Sequence, residues 1–203
     1  RPTVEYYQSM ASILVAEGRF EEVAENMEMA LQLDPFTAIN HHLKGFLHYV
    51  KEEYDLALEW FEKSIRFKSE FQISALYYGQ TLLLMGRAEE CLSYFEDLAD
   101  DEKGDFVKEG GKTLAYTALG DTSKTDAGIQ QLESAMTSKT AERAINLLIL
   151  IRAQLGQKEE LFDLIETGIT HRLPLLIYLN VEPMMKPFRK DRKFRELIEK
   201  VLG

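Results

Sequence analysis

An all-α fold of stacked helical repeats is what this sequence predicts, and three observations predict it. Matching residues recur 34 apart: Gly45 and Gly79, Gly86 and Gly120, Phe20 and Tyr54, Met27, Phe61 and Phe95, and Val23, Ala57 and Cys91. A fixed period in this range marks a repeat array. Between the recurring glycines, apolar residues are spaced three and four apart, as on an amphipathic helix. No stretch alternates apolar and polar residues between hairpin turns, so strands are not required.

The first unit opens near Val4, with Tyr7, Met10, Ala11 and Leu14 on one helical stripe that Gly18 ends. A second helix carries Phe20, Val23, Ala24, Met27, Ala30 and Leu31 and stops at Asp34-Pro35, because proline cannot continue a helix and restricts the residue before it. The second unit spans about Ala38 to Phe71, with Gly45 where two helices approach closely and Tyr54, Ala57, Phe61 and Ser64 in its second helix. Glu52 replaces the turn glycine here and Ser69 the closing proline, which predicts a slightly longer helical boundary. The third unit, about Gln72 to Asp105, restores Gly79 and Gly86 and places Cys91, Phe95 and Leu98 in its second helix. In the fourth, the stretch Asp121 to Asp126 reads as an insertion of about three residues before a helix through Ile129, Leu132, Ala135 and Met136. The fifth holds Ala144, Leu147, Leu148 and Ile151, a turn at Gly156, then Leu161, Phe162, Leu164 and Ile165. A solenoid needs a polar end cap. Leu173 to Leu179 is too apolar to be exposed, and Asp191 is placed to cap a last helix bearing Phe194, Leu197, Ile198 and Val201.

Composition narrows the class. At 203 residues and 45% hydrophobic content the chain is long enough to bury a core, and its longest apolar runs fall far short of the roughly 20 residues of a membrane span. It begins Arg1-Pro2, which reads as an excised piece of something longer. The single cysteine, Cys91, occupies a small buried position and fits a reducing, cytoplasmic compartment. A net charge of −10 argues against this segment gripping nucleic acid. From Lys186 onward, however, seven Lys/Arg stand against three Asp/Glu. That basic tail either packs on the acidic remainder or touches an acidic partner.

The ending Ala30-Leu-Gln-Leu-Asp-Pro35, with the 34-residue length, resembles the tetratricopeptide repeat. The resemblance implies a right-handed solenoid of about five antiparallel pairs over residues 1–172, with 173–203 as a C-terminal capping segment of the same domain. The stretch Glu182 to Phe194 resembles the closing segment of tetratricopeptide regions in bacterial transcription regulators and adenylate cyclases, through Pro187, Arg189, Asp191 and Phe194. It implies an effector domain elsewhere in a full-length regulator.

No catalytic centre or cofactor motif is legible. His41 and His48 share a helical face about 10 Å apart, too far for one zinc ion, and His42 points elsewhere. The pairs Glu21-Glu22, Glu52-Glu53, Glu89-Glu90 and Glu159-Glu160 fall at or near helix starts, where negative charge is favourable. Gly104, Gly110 and Gly111 lack the strand and the Gly-Lys-Ser/Thr ending of a phosphate loop. Trp60 and Tyr94 lie beside core aromatics on second helices, where inter-repeat packing is their default role. In the tetratricopeptide family, first helices line a concave groove for partner segments. The positions matching the family's carboxylate clamp read Gln8, Ser12, Leu43, Ile73 and Tyr77, none of them suited to it. The groove positions on the same alignment are His42, Phe46, Tyr49, Leu76, Gln80 and Leu83, joined further along by Leu114, Asn146 and Leu150. Either a partner or apolar ligand buries this lining, or the later helices fill it. The expectation is a non-catalytic protein-interaction and sensing module, with a small apolar-ligand sensor or a purely structural scaffold as alternatives.

Overall fold

The computed structural model describes residues 2–67, 72–98, 106–138 and 140–203, and all regular structure among them is helical. The first helices of successive pairs are α1 (Val4–Ala16), α3 (Ala38–Val50), α5 (Gln72–Leu84), α7 (Phe106–Leu119) and α9 (Ala141–Gln154). The second helices are α2 (Phe20–Leu33), α4 (Tyr54–Phe67), α6 (Ala88–Asp97), α8 (Thr122–Ala135) and α10 (Lys158–Thr170). Through four pairs both kinds of helix start 34 residues apart, and α9 and α10 start one and two residues later than that phase. Two 3₁₀ segments, Pro174–Tyr178 and Pro183–Phe188, lead to α11 (Arg192–Leu202). Ser69, Phe71, Gly104 and Asp105 lie outside the described residues.

The chain divides into two compact units, Arg1–Met85 and Gly86–Gly203. In the first, α2 ends at Leu33 and the Asp34 carboxylate accepts from Phe36 N at 3.0 Å and from the Thr37 hydroxyl. Asn40 then reaches back: its Nδ2 donates to Ala30 O at 3.2 Å and to Asp34 O at 2.8 Å, satisfying carbonyls that a helix end leaves orphaned. Gly45 lies so close to α4 that a Cβ there would stand 2.7 Å from the Phe61 ring. The turn at Glu52 has φ 61°, in the region that Gly18 and Gly86 occupy at 73° and 75°. It does not lengthen the helix as expected: α3 has 13 residues, like α1, because the left-handed residue closes the turn in the same way.

The α1 helix differs from the later first helices on one face. Against α3, α5 and α7 pack α2, α4 and α6, and Leu47, Thr81 and Ala115, equivalent by register, are 3%, 0% and 0% exposed. Their counterpart on α1, Ile13, is 53% exposed.

In the second unit the expected insertion is absent. Asp121 is the N-cap of α8, accepting from Lys124 N at 3.1 Å, and the helix starts at Thr122 in phase. The polar string is the solvated first turn of a helix, with Thr125 alone buried. Close approach is kept by exchange: Thr113 stands 34 residues after Gly79, and Gly128 on α8 receives it, so that a Cβ on Gly128 would collide with the Thr113 side chain. Leu98 caps α6 in extended conformation instead of lying within it. Arg152 on α9 ties to Glu133 on α8 at 2.8 Å.

The end of the unit is closed by α11. Asp191 accepts from Lys193 N at 2.8 Å and Phe194 N at 3.4 Å and pairs with the Lys158 ammonium, which holds its carboxyl below the usual range. Phe194, Leu197 and Ile198 are buried. The Phe162 ring of α10 lies 6.4 Å from Phe188 and 6.3 Å from Phe194.

Candidate functional site

The first helices of the first unit bring together most of the residues expected to line a groove. Phe46 stacks on Tyr49 at 6.1 Å between centroids and meets Tyr77 at 5.0 Å. Tyr49 meets Tyr77 edge-on at 5.2 Å and its hydroxyl donates to Gln80 Oε1 at 3.2 Å. Aromatic pairs at such separations favour these offset and edge geometries. His42 lies 5.7 Å from both Phe61 and Tyr77.

His42 is also hydrogen-bonded to a buried chain of hydroxyls. Its Nδ1 is 3.0 Å from Ser74 Oγ, which is 2.8 Å from Ser64 Oγ, which donates to Ala38 O at 2.8 Å. Since Ser64 has one proton and gives it to Ala38, Ser74 donates to Ser64 and the His42 Nδ1–H donates to Ser74. Burial pushes the His42 pKa down from 6.5 to about 3.

His42, Phe46, Tyr49 and Gln80 are accordingly buried by α3, α4 and α5 themselves. What the first unit leaves accessible is a row on α5, where Ile73, Leu76 and Leu83 are half-buried, with Ile39 half-buried at the position equivalent to Ile73 on α3. Asn146, half-buried on α9, belongs to the second unit, as do Leu114 and Leu150, both buried. The buried hydroxyl chain and the Asn40 bridge escaped sequence reading, because Ser74 and Asn40 look like ordinary helix-surface residues and the repeat pattern marks Ser64 as a core position without naming its partners.

The other histidines have local partners. His41 Nε2 donates to Pro35 O at 2.8 Å, with its ring stacked on Phe67 and Trp60; His48 Nδ1 bonds Glu53 at 2.6 Å. No group of three or more His, Cys, Asp or Glu able to hold a metal ion occurs among the described residues. No helix among them is long and apolar enough to cross a membrane. Cys91 is fully buried and its thiol is pushed up to about 12 by burial, far from a reactive thiolate. Glu21-Glu22, Glu89-Glu90 and Glu159-Glu160 occupy the first turns of α2, α6 and α10. Trp60 is half-buried beneath Lys63, whose ammonium is 4.1 Å from its ring centroid, and Tyr94 is half-buried beside Phe95.

No protein-family model matches the chain. Over 116 residues, 57% of its length, it is 31% identical to human tetratricopeptide repeat protein 13, of which it covers 13%. Among solved structures it is similar to PilW, a widely conserved type IV pilus biogenesis factor, at 15% identity and TM-score 0.57, over 98% of both chains. It is also similar to YrrB, a tetratricopeptide protein with an unusual peptide-binding site, at 19% identity and TM-score 0.48, over 86% of this chain and 89% of that one. The fold class is the all-α tetratricopeptide type.

Proposed function

We propose that this chain is a non-catalytic interaction module that recognises a partner-protein segment along the first helices of its first unit. The observation that carries this reading is the α5 row Ile73, Leu76 and Leu83, apolar side chains left half-accessible along one face while Gln80 between them is sunk. Apolar side chains at this spacing, held over the buried Phe46, Tyr49 and Tyr77, suit a partner segment that inserts anchor residues. His42, Phe46, Tyr49 and Gln80 would position the row from beneath, and Leu76 and Leu83 would make the contact.

The closing-segment resemblance supports a place in a bacterial cytoplasmic regulator, where a partner with different affinities for two states would pass its occupancy to an effector domain. Arg189, whose Nη2 donates to Glu182 O at 3.0 Å, and Asp191 and Phe194 also serve the C-terminal cap. A full-length protein without an effector domain would remove that context.

Photo-crosslinking tests the site. A benzophenone side chain placed at Leu76 or Leu83 is expected to yield one common adduct from a lysate of the source organism, and placement at Glu59 or Glu62 on the exposed face of α4 none. Equal adducts at all four positions, or none at Leu76 and Leu83, would overturn it.

A further inference from the structure

The second unit carries a cleft that this reading does not use. It lies between the end of α10, the segment that follows and α11, encloses about 260 Å³, and has Ile169, Leu173, Leu176 and Val201 in its walls. Arg172 and Lys200 also line it, and no carboxylate does. The volume is below the roughly 300–1,000 Å³ of sites for drug-sized molecules; it suits a single apolar side chain.

Arg172 is the second observation. Its φ is 54°, in the left-handed region, where any side chain is disfavoured relative to glycine. The turn requires that conformation: Arg172 N donates to Ile169 O and Leu173 N to Gly168 O, both at 3.0 Å, closing the end of α10. Gly18, Gly86, Gly120 and Gly156 occupy the left-handed region in this chain without that penalty. Strain alone is no signal, since Glu52 has it too. A strained residue becomes a functional candidate when its side chain lines a site, and Arg172 lines this cleft.

We propose that the cleft docks an acidic amphipathic segment of a partner protein, seating one apolar side chain among Leu173, Leu176 and Val201 and setting a neighbouring Asp or Glu against Arg172 and Lys200. Charge complementarity selects that occupant. The chain carries −10 overall, with 17 Lys/Arg against 31 Asp/Glu in residues 1–185, whereas residues 186–203 carry seven against three. Within that stretch Arg192 pairs with Glu196, and Lys193 faces Asp163 and Glu166 of α10, so the charge that draws an acidic segment to this place is that of Arg172 and Lys200 in the cleft lining. Because Arg172 and Lys200 are exposed, the attraction weakens with salt.

EELLEELLEE-amide carrying fluorescein on its N-terminus and its Glu→Gln counterpart are the probes, with anisotropy for affinity and amide chemical shifts for location. The acidic peptide is expected to bind at least tenfold tighter than the Gln peptide, shifting amides of residues 169–177 and 200–202. Lys200→Glu should weaken it at least tenfold. Arg172→Gly should weaken it similarly while raising the melting temperature, a combination that mere loss of structure cannot produce. Equal binding of the two peptides, no binding at millimolar concentration, shifts confined to α1–α5, or unchanged affinity in Arg172→Gly would each overturn the proposal.

Discussion

Glu52 holds the left-handed conformation that glycine holds one period earlier and one period later. A side chain there costs about 1 kcal/mol against the preceding carbonyl, so Glu52→Gly should raise stability by about 0.5–1 kcal/mol, part of the gain being returned to a freer unfolded chain. Urea denaturation checks it through a higher midpoint with an unchanged slope. His42 makes a pH prediction with a definite sign. It is neutral in the fold, where burial holds its pKa near 3, and takes up a proton near 6.5 when unfolded. Its contribution is therefore complete above about pH 6.5 and is lost as pH falls toward 3, by roughly 1.4 kcal/mol per pH unit. Unfolding free energies at pH 7, 6 and 5 should fall more steeply in the native chain than in His42→Gln. Parallel falls would mean that His42 is not buried neutral. Histidine 42 was legible as a groove position but not as a core residue, because its partners Ser64 and Ser74 lie 22 and 32 residues away.

At the scale of elements, one helix approaches its partner at a glycine, and the fourth pair shows that either helix can supply it. Gly45 admits the Phe61 ring in the second pair; in the fourth, Thr113 takes the first-helix position and Gly128 clears space on the second helix. Gly128→Ala should cost about 1–3 kcal/mol through overpacking against Thr113. Thr113→Ala in the same chain should recover part of that loss, a coupling that a double-mutant cycle measures. The bare face of α1 gives a paired prediction. Leu47→Ala should cost about 2–5 kcal/mol, since Leu47 is 3% exposed, whereas Ile13→Ala, at 53% exposed, should stay within about 1 kcal/mol. Equal losses in thermal unfolding would show that the two faces are equally covered. Helix starts were readable because glycine, proline and aspartate act locally. The fourth pair misled because a solvated first turn and a loop share the same polar composition.

For the molecule as a whole, the C-terminal segment decides whether the second unit ends in water or in a cap. Phe194 is 1% exposed and lies against Phe162, so Phe194→Ala should cost about 3–5 kcal/mol. Hydrogen exchange should then lose protection in α9 and α10, and a loss confined to α11 would show that the cap does not support them. The sequence by itself determined the helical class, the 34-residue period, the proline stop after α2 and the Asp191 cap. The class, the stop and the cap rest on interactions within one turn or one helix, and the period is visible because such local signals recur along the chain. Only the tertiary structure decided that His42, Phe46, Tyr49 and Gln80 are core and that Ile73, Leu76 and Leu83 keep an accessible edge. It alone brought Arg172 and Lys200 to one cleft. The apolar stripe of a helix says which side seeks burial, but what buries it is supplied by residues from other helices. A cleft between α10, a 3₁₀ segment and α11 has no sequence signature, since its walls come from segments that only packing brings together.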